Sequence, residues 1–178
     1  MLVLEDWEHA VARGVRPLAE FLDYGSSCDA HHMTAPHPDG RGAAAAMSEA
    51  LSRSGIAPSD VGHVNAHGTG TTFNDAAEAR AMRMVFGDAL AARIPVTASK
   101  SMLGHVLGGA GALEAVILVL SLMFRLAPPT PGYESGTDED AVLDIVTGAA
   151  RPLASNHGMS NSFGFGGANC SLIFAGTS

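Results

Sequence analysis

Three short stretches of the chain combine reactive side chains with glycine. Asn65-Ala66-His67-Gly68-Thr69-Gly70-Thr71 follows a predicted strand. His67 would therefore stand at a strand's carboxyl end, where ligands of α/β sheets gather. The glycines permit tight turns, and the two threonines offer hydroxyls to a polar ligand. A phosphate cradle is incomplete, because Phe73 stands where a third glycine would be needed. These residues alone leave His67 divided between a functional group and a structural cap of the loop. Ser99-Lys100-Ser101-Met102-Leu103-Gly104-His105 leads into a long apolar segment. The positive end of a helix there favours a neutral imidazole, and a neutral His can donate a hydrogen bond to a developing oxyanion. Lys100 acts in the same direction, although an exposed lysine beside a satisfied histidine reads equally well. Glu114, inside the apolar segment, requires a buried partner, and Lys100 is the candidate. The third stretch runs from Ser160 to Asn169 through Asn161, Phe163, Gly164, Phe165, Gly166 and Gly167. Backbone N–H groups on such a turn can form an oxyanion hole, and the phenylalanines could shape an apolar tunnel. The plainer alternative is a tight Gly-Gly hairpin.

The elements that must position these groups alternate between strand and helix, which places the chain in the α/β class. Leu2-Val3-Leu4 reads as a buried strand, and a helix from Asp6 to Ala12 stops at Gly14. An opening inside a core strand predicts that natural sequence precedes Met1. Leu18 to Tyr24 reads as a strand, 25–42 as loop, and Ala43 to Leu51 as a helix stopped by Gly55. Val61 to Asn65 is a short strand. Asp75 and Glu78 have capping-box spacing and open a helix that ends near Gly87. Ile94 to Ala98 is β-like, residues 99–105 form a loop, and two last strands span about 154–161 and 169–174. Val106 to Phe124 approaches the roughly 20 apolar residues of a membrane span. Glu114 within it makes a buried core helix the preferred reading, and a helix apolar all round needs protein on every side.

The 178 residues amount to one domain, 1–178, with 47% apolar and 16% charged residues. Acids outnumber bases 18 to 10, a net charge of −8, which argues against nucleic-acid binding through a basic face. Two cysteines make no disulfide framework, and the reducing cytosol is the default compartment. Cys28 falls in a loop, and Cys170 in a strand reads as core. Asp29, His31, His32, His37 and Asp39 have no distinctive ligand spacing and read as a solvated loop, with no metal site. Asp138-Glu139-Asp140 reads as a solvated acidic turn.

In order and spacing, His67-Gly68-Thr69-Gly70-Thr71, Lys100-Ser101-Met102-Leu103-Gly104-His105 and Asn161-Ser162-Phe163-Gly164-Phe165-Gly166-Gly167 resemble the elongating β-ketoacyl-[acyl carrier protein] synthases. The resemblance extends over essentially the whole chain, but only to the C-terminal half of that two-half enzyme. It implies a thiolase-like layered α-β-α fold. It also implies decarboxylative Claisen condensation of malonyl–carrier protein with an acyl chain, in fatty acid or polyketide synthesis. By resemblance, His67 and His105 assist decarboxylation, Lys100 organises the site with Glu114 and Asn161 in support, and Phe165 gates access. Thr69, Thr71 and Phe163 would meet the substrate and the phosphopantetheine arm that arrives on the carrier protein. No cofactor is required, although some relatives hold a structural monovalent or divalent cation near Asn65, Glu114, Ser160 and Asn161. The family's nucleophilic cysteine belongs to the N-terminal half, and neither Cys28 nor Cys170 matches it. The resemblance therefore implies three partners: an N-terminal ketosynthase half, acyl carrier protein, and a second unit in a dimer of complete ketosynthases. The alternative is a non-catalytic subunit of chain-length-factor or scaffold type.

Overall fold

The structure is a computed structural model, which describes residues 2–134 and 143–177. The acidic turn Asp138–Asp140 lies outside the described residues.

Two long strands form the sheet's spine, and the side chains of the more apolar one alternate between two cores. β7 (His157–Gly164) and β8 (Ala168–Gly176) pair antiparallel around the Phe165–Gly167 turn. On β8, Ile173 enters one core while its neighbours Leu172 and Phe174 enter the other. β1 (Ala19–Cys28) adds antiparallel to β8, whereas β2 (Val61–Asn65), β3 (Pro95–Thr97) and β5 (Asp144–Ile145) add parallel on the β7 side. The six-stranded order is β1-β8-β7-β2-β3-β5. β4 (Leu126–Ala127) and β6 (Arg151–Pro152) form a separate antiparallel pair.

Helices cover both faces. α2 (Arg41–Ser54) and α3 (Thr72–Phe86) bury Met47 and Met82 with Val64, Val96, Met159 and Ile173. On the opposite face, α6 (Ala110–Phe124) buries Ala115, Leu118 and Leu122 with Phe174. Three short α-helices complete the set among the described residues: α1 (Trp7–Ala12), α4 (Asp88–Ala91) and α5 (Lys100–Leu103). The arrangement is α/β with helices on both faces of a mixed sheet, as the sequence predicts.

Several local expectations are corrected. Leu2–Leu4 is not a strand: Val3 and Leu4 are exposed, and Leu2 packs against the α6 core instead. β1 runs past Tyr24 to Cys28, through the predicted loop. Gly25 permits this, because a Cβ there would lie 2.1 Å from Ala46 O on α2. Lys100–Leu103 is helical rather than loop, and 3₁₀ geometry at Leu107–Gly109 precedes α6. The stretch Leu107–Phe124 is long and apolar enough to cross a membrane. Here one face of it packs on the sheet and the other is bare, with Leu107 and Phe124 well exposed. The described residues do not surround it. Cys170 is half-buried on β8 rather than core, and Cys28 ends β1 in an exposed position.

Candidate active site

β2 is buried along its whole length and stops at Asn65, where Ala66 N still donates to Thr97 O of β3 (2.8 Å). The chain then turns, and the backbone N–H groups of His67 and Gly68 both point at one carboxylate. Glu78, buried on α3, accepts from His67 N through Oε1 and from Gly68 N through Oε2, each at 2.9 Å. Asn161 Nδ2 donates to the same Oε1 (3.2 Å), and Ser171 Oγ donates to Asn161 Oδ1 (2.7 Å). Burial raises the Glu78 pKa, and these three donors oppose the rise. Glu78 is therefore no capping residue. α3 begins after Thr71, and Glu78 lies inside the helix as the anchor of the His67 turn. Sequence reasoning missed this role. The available signal was a carboxylate among Ala77, Ala79 and Ala81, on a helix side that has no solvent to receive it.

Lys100 lies at the start of α5, buried beneath His67. Its Nζ donates to His67 Nδ1 (3.1 Å), to His67 O (2.5 Å) and to Glu114 Oε1. An ammonium has three N–H groups and no acceptor, so all three are used here. The expected Lys100–Glu114 pair is present, with both side chains almost wholly buried. Burial raises the Glu114 pKa, with Lys100 holding it back. Because Lys100 can only donate to Nδ1, the ring proton of neutral His67 sits on Nε2. Burial first, then the charges of Lys100 and His105, push His67 down to about 3, so its imidazole is neutral at physiological pH.

His105 is exposed, and its ring stands edge-on to that of His67, with centroids 5.6 Å apart. Leu107 N donates to His105 Nδ1 (3.1 Å), which places the neutral ring's proton on Nε2 as well. Phe163 on β7 closes the opposite side of His67, with centroids 5.7 Å apart. A cleft of about 380 Å³ opens beside them, lined by Gly68, Thr69, Lys100, His105, Thr130 and Tyr133 among others. Thr69 and Thr71 share a hydroxyl–hydroxyl bond of 2.7 Å. The structure thus brings His67, Lys100, Glu114, His105 and Phe163 into one cluster.

Phe165 stands apart on its own turn, with its side chain 80% exposed. That turn is pinned from the segment that follows β1. Asp29 N donates to Gly167 O (2.8 Å), and Gly166 N donates to Met33 O (2.7 Å), so the Gly166 N–H is already engaged. Gly167 has φ +78° and would bring a Cβ within 2.9 Å of Asp29 Cβ, which leaves glycine the only fitting residue. Asp29 is buried rather than solvated. Its carboxylate accepts from Asn169 Nδ2 (2.8 Å) and His37 N (2.8 Å), a role the loop-like sequence concealed.

Of the residues that could hold a cation, Asn65 stands in register with Ser160 where β2 and β7 run side by side, and Glu114 lies on α6. Glu114 Oε2 and Ser160 Oγ are buried oxygens with no partner among the described residues. Two such oxygens suit a hard cation. Asn65 Oδ1 already accepts from Ser99 Oγ.

The family model for the beta-ketoacyl synthase C-terminal domain matches residues 18–134. The chain is 45% identical over 175 residues to 3-oxoacyl-[acyl-carrier-protein] synthase 2 of Vibrio cholerae, covering 98% of this chain and 42% of that protein. It is 46% identical to the Synechocystis protein of the same name, with 98% and 41% coverage. Among solved structures, the ishigamide ketosynthase/chain length factor superposes with a TM-score of 0.90 at 40% identity, over 98% of this chain and 42% of that one. A Burkholderia phymatum beta-ketoacyl synthase gives 0.87 at 36%, over 98% and 41%. The chain therefore spans about two-fifths of the relatives it matches.

Proposed function

This chain belongs to the beta-ketoacyl synthase family, as its C-terminal domain, and from that premise we propose that it supplies the decarboxylating side of a condensing site. The carrying observation is that His67 and His105 each have Nδ1 occupied by a donor, which leaves an Nε2–H on each of two adjoining rings set edge-on. Malonyl–carrier protein would place its thioester oxygen between them. As the carbon–carboxylate bond breaks, its electron pair forms the enolate and CO₂ departs. Both Nε2–H bonds strengthen as charge grows on that oxygen, and each such donor is worth roughly 10²–10³ in rate. The enolate carbon then attacks an acyl thioester, expels the thiolate and forms the β-ketoacyl product. A neutral His67 suits this role, because it donates without having to give up a charge-bearing proton.

The thiolate must come from elsewhere. Cys28 is exposed at the end of β1, where its Sγ donates to Gly166 O (3.6 Å), and burial raises the Cys170 pKa. An N-terminal ketosynthase half would supply the nucleophile and cover Met102, Leu103, Val106 and Leu107, which lie bare beside His105. Thr69, Thr71 and Phe163 would border the phosphopantetheine arm, and Phe165 its entrance. A related solved structure holds a type II polyketide acyl-carrier protein in complex with its ketosynthase, which supports a carrier protein as the donor of that arm. Asn65, Glu114, Ser160 and Asn161 would hold a structural cation, whose charge would balance the buried carboxylates Glu78 and Glu114.

The test is to combine the chain with a ketosynthase N-terminal half and follow CO₂ release from malonyl–carrier protein. His105→Ala, in an exposed position, is expected to lower that rate about 100-fold without unfolding the chain. Unchanged turnover would instead support the non-catalytic, chain-length-factor-like reading.

A further inference from the structure

The Phe165–Gly167 turn is held by residues 29–39, a segment with no helix or strand of its own. Its shape depends on imidazoles used as acceptors. His32 Nδ1 accepts the N–H groups of Thr34 and Ala35, both at 3.1 Å, and His37 Nδ1 accepts the N–H of Asp39 at 3.2 Å. Three backbone donors thus converge on two ring nitrogens that accept only while unprotonated. The same segment grips the turn through Met33 O and Asp29 N, and His37 N steadies the Asp29 carboxylate. Contacts therefore run without a break from the two imidazoles to the base of Phe165.

We propose that His32 and His37 are positioning residues of the Phe165–Gly167 turn, and that its order depends on their Nδ1 atoms remaining unprotonated. A proton on Nδ1 turns the acceptor into a donor, so N–H faces N–H and the segment loses the bonds that shape it. The neighbouring charges divide. The Asp39 carboxylate, 3.9 Å from His37 Nδ1, attracts the proton and draws the ring from the Asp39 N–H. The His31 ring, 4.8 Å from that of His37, adds repulsion once both are charged. From α3, Arg80 donates to Pro38 O (2.7 Å) and opposes a further positive charge. Asp29, on the β1 side, is engaged with Asn169 of β8 and with His37 N. Two pH values, about 7.5 and about 5.5, stand on either side of the range in which imidazoles in general change protonation. The proposed function matters here only for the consequence, an altered entrance to the site; the contacts stand without it.

Amide hydrogen exchange of the chain at the two pH values, corrected for intrinsic rates, tests this. Exchange across Phe163–Asn169 is expected to rise at least roughly threefold at the lower pH, about the factor carried by one lost hydrogen bond. Pairing His32→Asn with His37→Asn, whose side-chain oxygens accept at both pH values, is expected to remove the rise; should that pair fail to fold, His32→Asn alone is expected to reduce it. A segment that ignores pH in the unaltered chain would overturn the proposal. So would a rise that survives these variants undiminished. The readout is exchange rather than condensation, so a failed reconstitution leaves this test intact.

Discussion

His67 and His105 face each other across 5.6 Å, yet they are held in different ways. His67 rests on a buried floor in which Lys100, Glu114, Glu78 and Asn161 satisfy one another and fix the turn from below. His105 stands on an exposed rim, held through one backbone N–H and surrounded by bare Met102, Leu103 and Leu107. The floor is largely closed within this chain, because buried charge and N–H groups must find partners wherever the fold closes over them; of its carboxylate oxygens only Glu114 Oε2 lacks one among the described residues. The rim is unfinished, because its apolar side chains carry no such demand until another surface arrives.

The sharpest way to break this contrast is Lys100→Ala. It leaves the Glu114 carboxylate buried alone and is expected to cost about 3–5 kcal/mol in urea unfolding. A loss as small as that of a rim variant would mean that the floor is no more fixed than the rim. Glu78→Ala should come next, at about 2–4 kcal/mol, since it strands the N–H groups of His67 and Gly68. Denaturant midpoints of the two floor variants should both lie well below that of the unaltered chain.

Acid sharpens the comparison further. Burial, with Arg151 nearby, pushes His63 down to about 4, and His67 lies at about 3. The unfolded chain takes these protons near pH 6.5. The contribution of each is full above about 6.5 and declines as pH falls, toward about 4 for His63 and about 3 for His67. Glu78 and Glu114 act in the opposite sense, because raised carboxylates bind protons more readily when folded. His63→Phe isolates the first effect, and its Tm is expected to drop less between about pH 7 and about 4.5 than that of the unaltered chain. The smallest effect belongs to an exposed ring outside both floor and rim. Phe165→Ala should change unfolding free energy by less than about 0.5 kcal/mol.

The same contrast explains what the sequence revealed. His67, Lys100 and His105 were legible as neighbours only from the order and spacing of the three motifs together, since each glycine-bearing motif alone left a structural alternative open. Glu114 was legible because a carboxylate in an apolar helix demands a partner. Glu78 was not, since Asp75 and Glu78 have capping-box spacing and only the fold shows the turn lying over α3. Asp29 was hidden for a related reason: its partners Gly167 and Asn169 are distant in sequence and meet it only when β1 pairs with β8. Leu2–Leu4 failed in the other direction, because apolar composition alone cannot say whether a neighbouring strand is available. The sheet order, too, depends on pairings over long sequence separations that no local pattern records.

The buried contact between Lys100 and Glu114 also constrains how this gene can drift. A mutation that removes the charge at either position leaves the other charge alone inside the protein, so neither position has a neutral first step toward an apolar residue. Substitutions at the two are expected to appear together or not at all. A lineage that replaces both with apolar residues would record, in two codons, that it no longer needs His67 held in place.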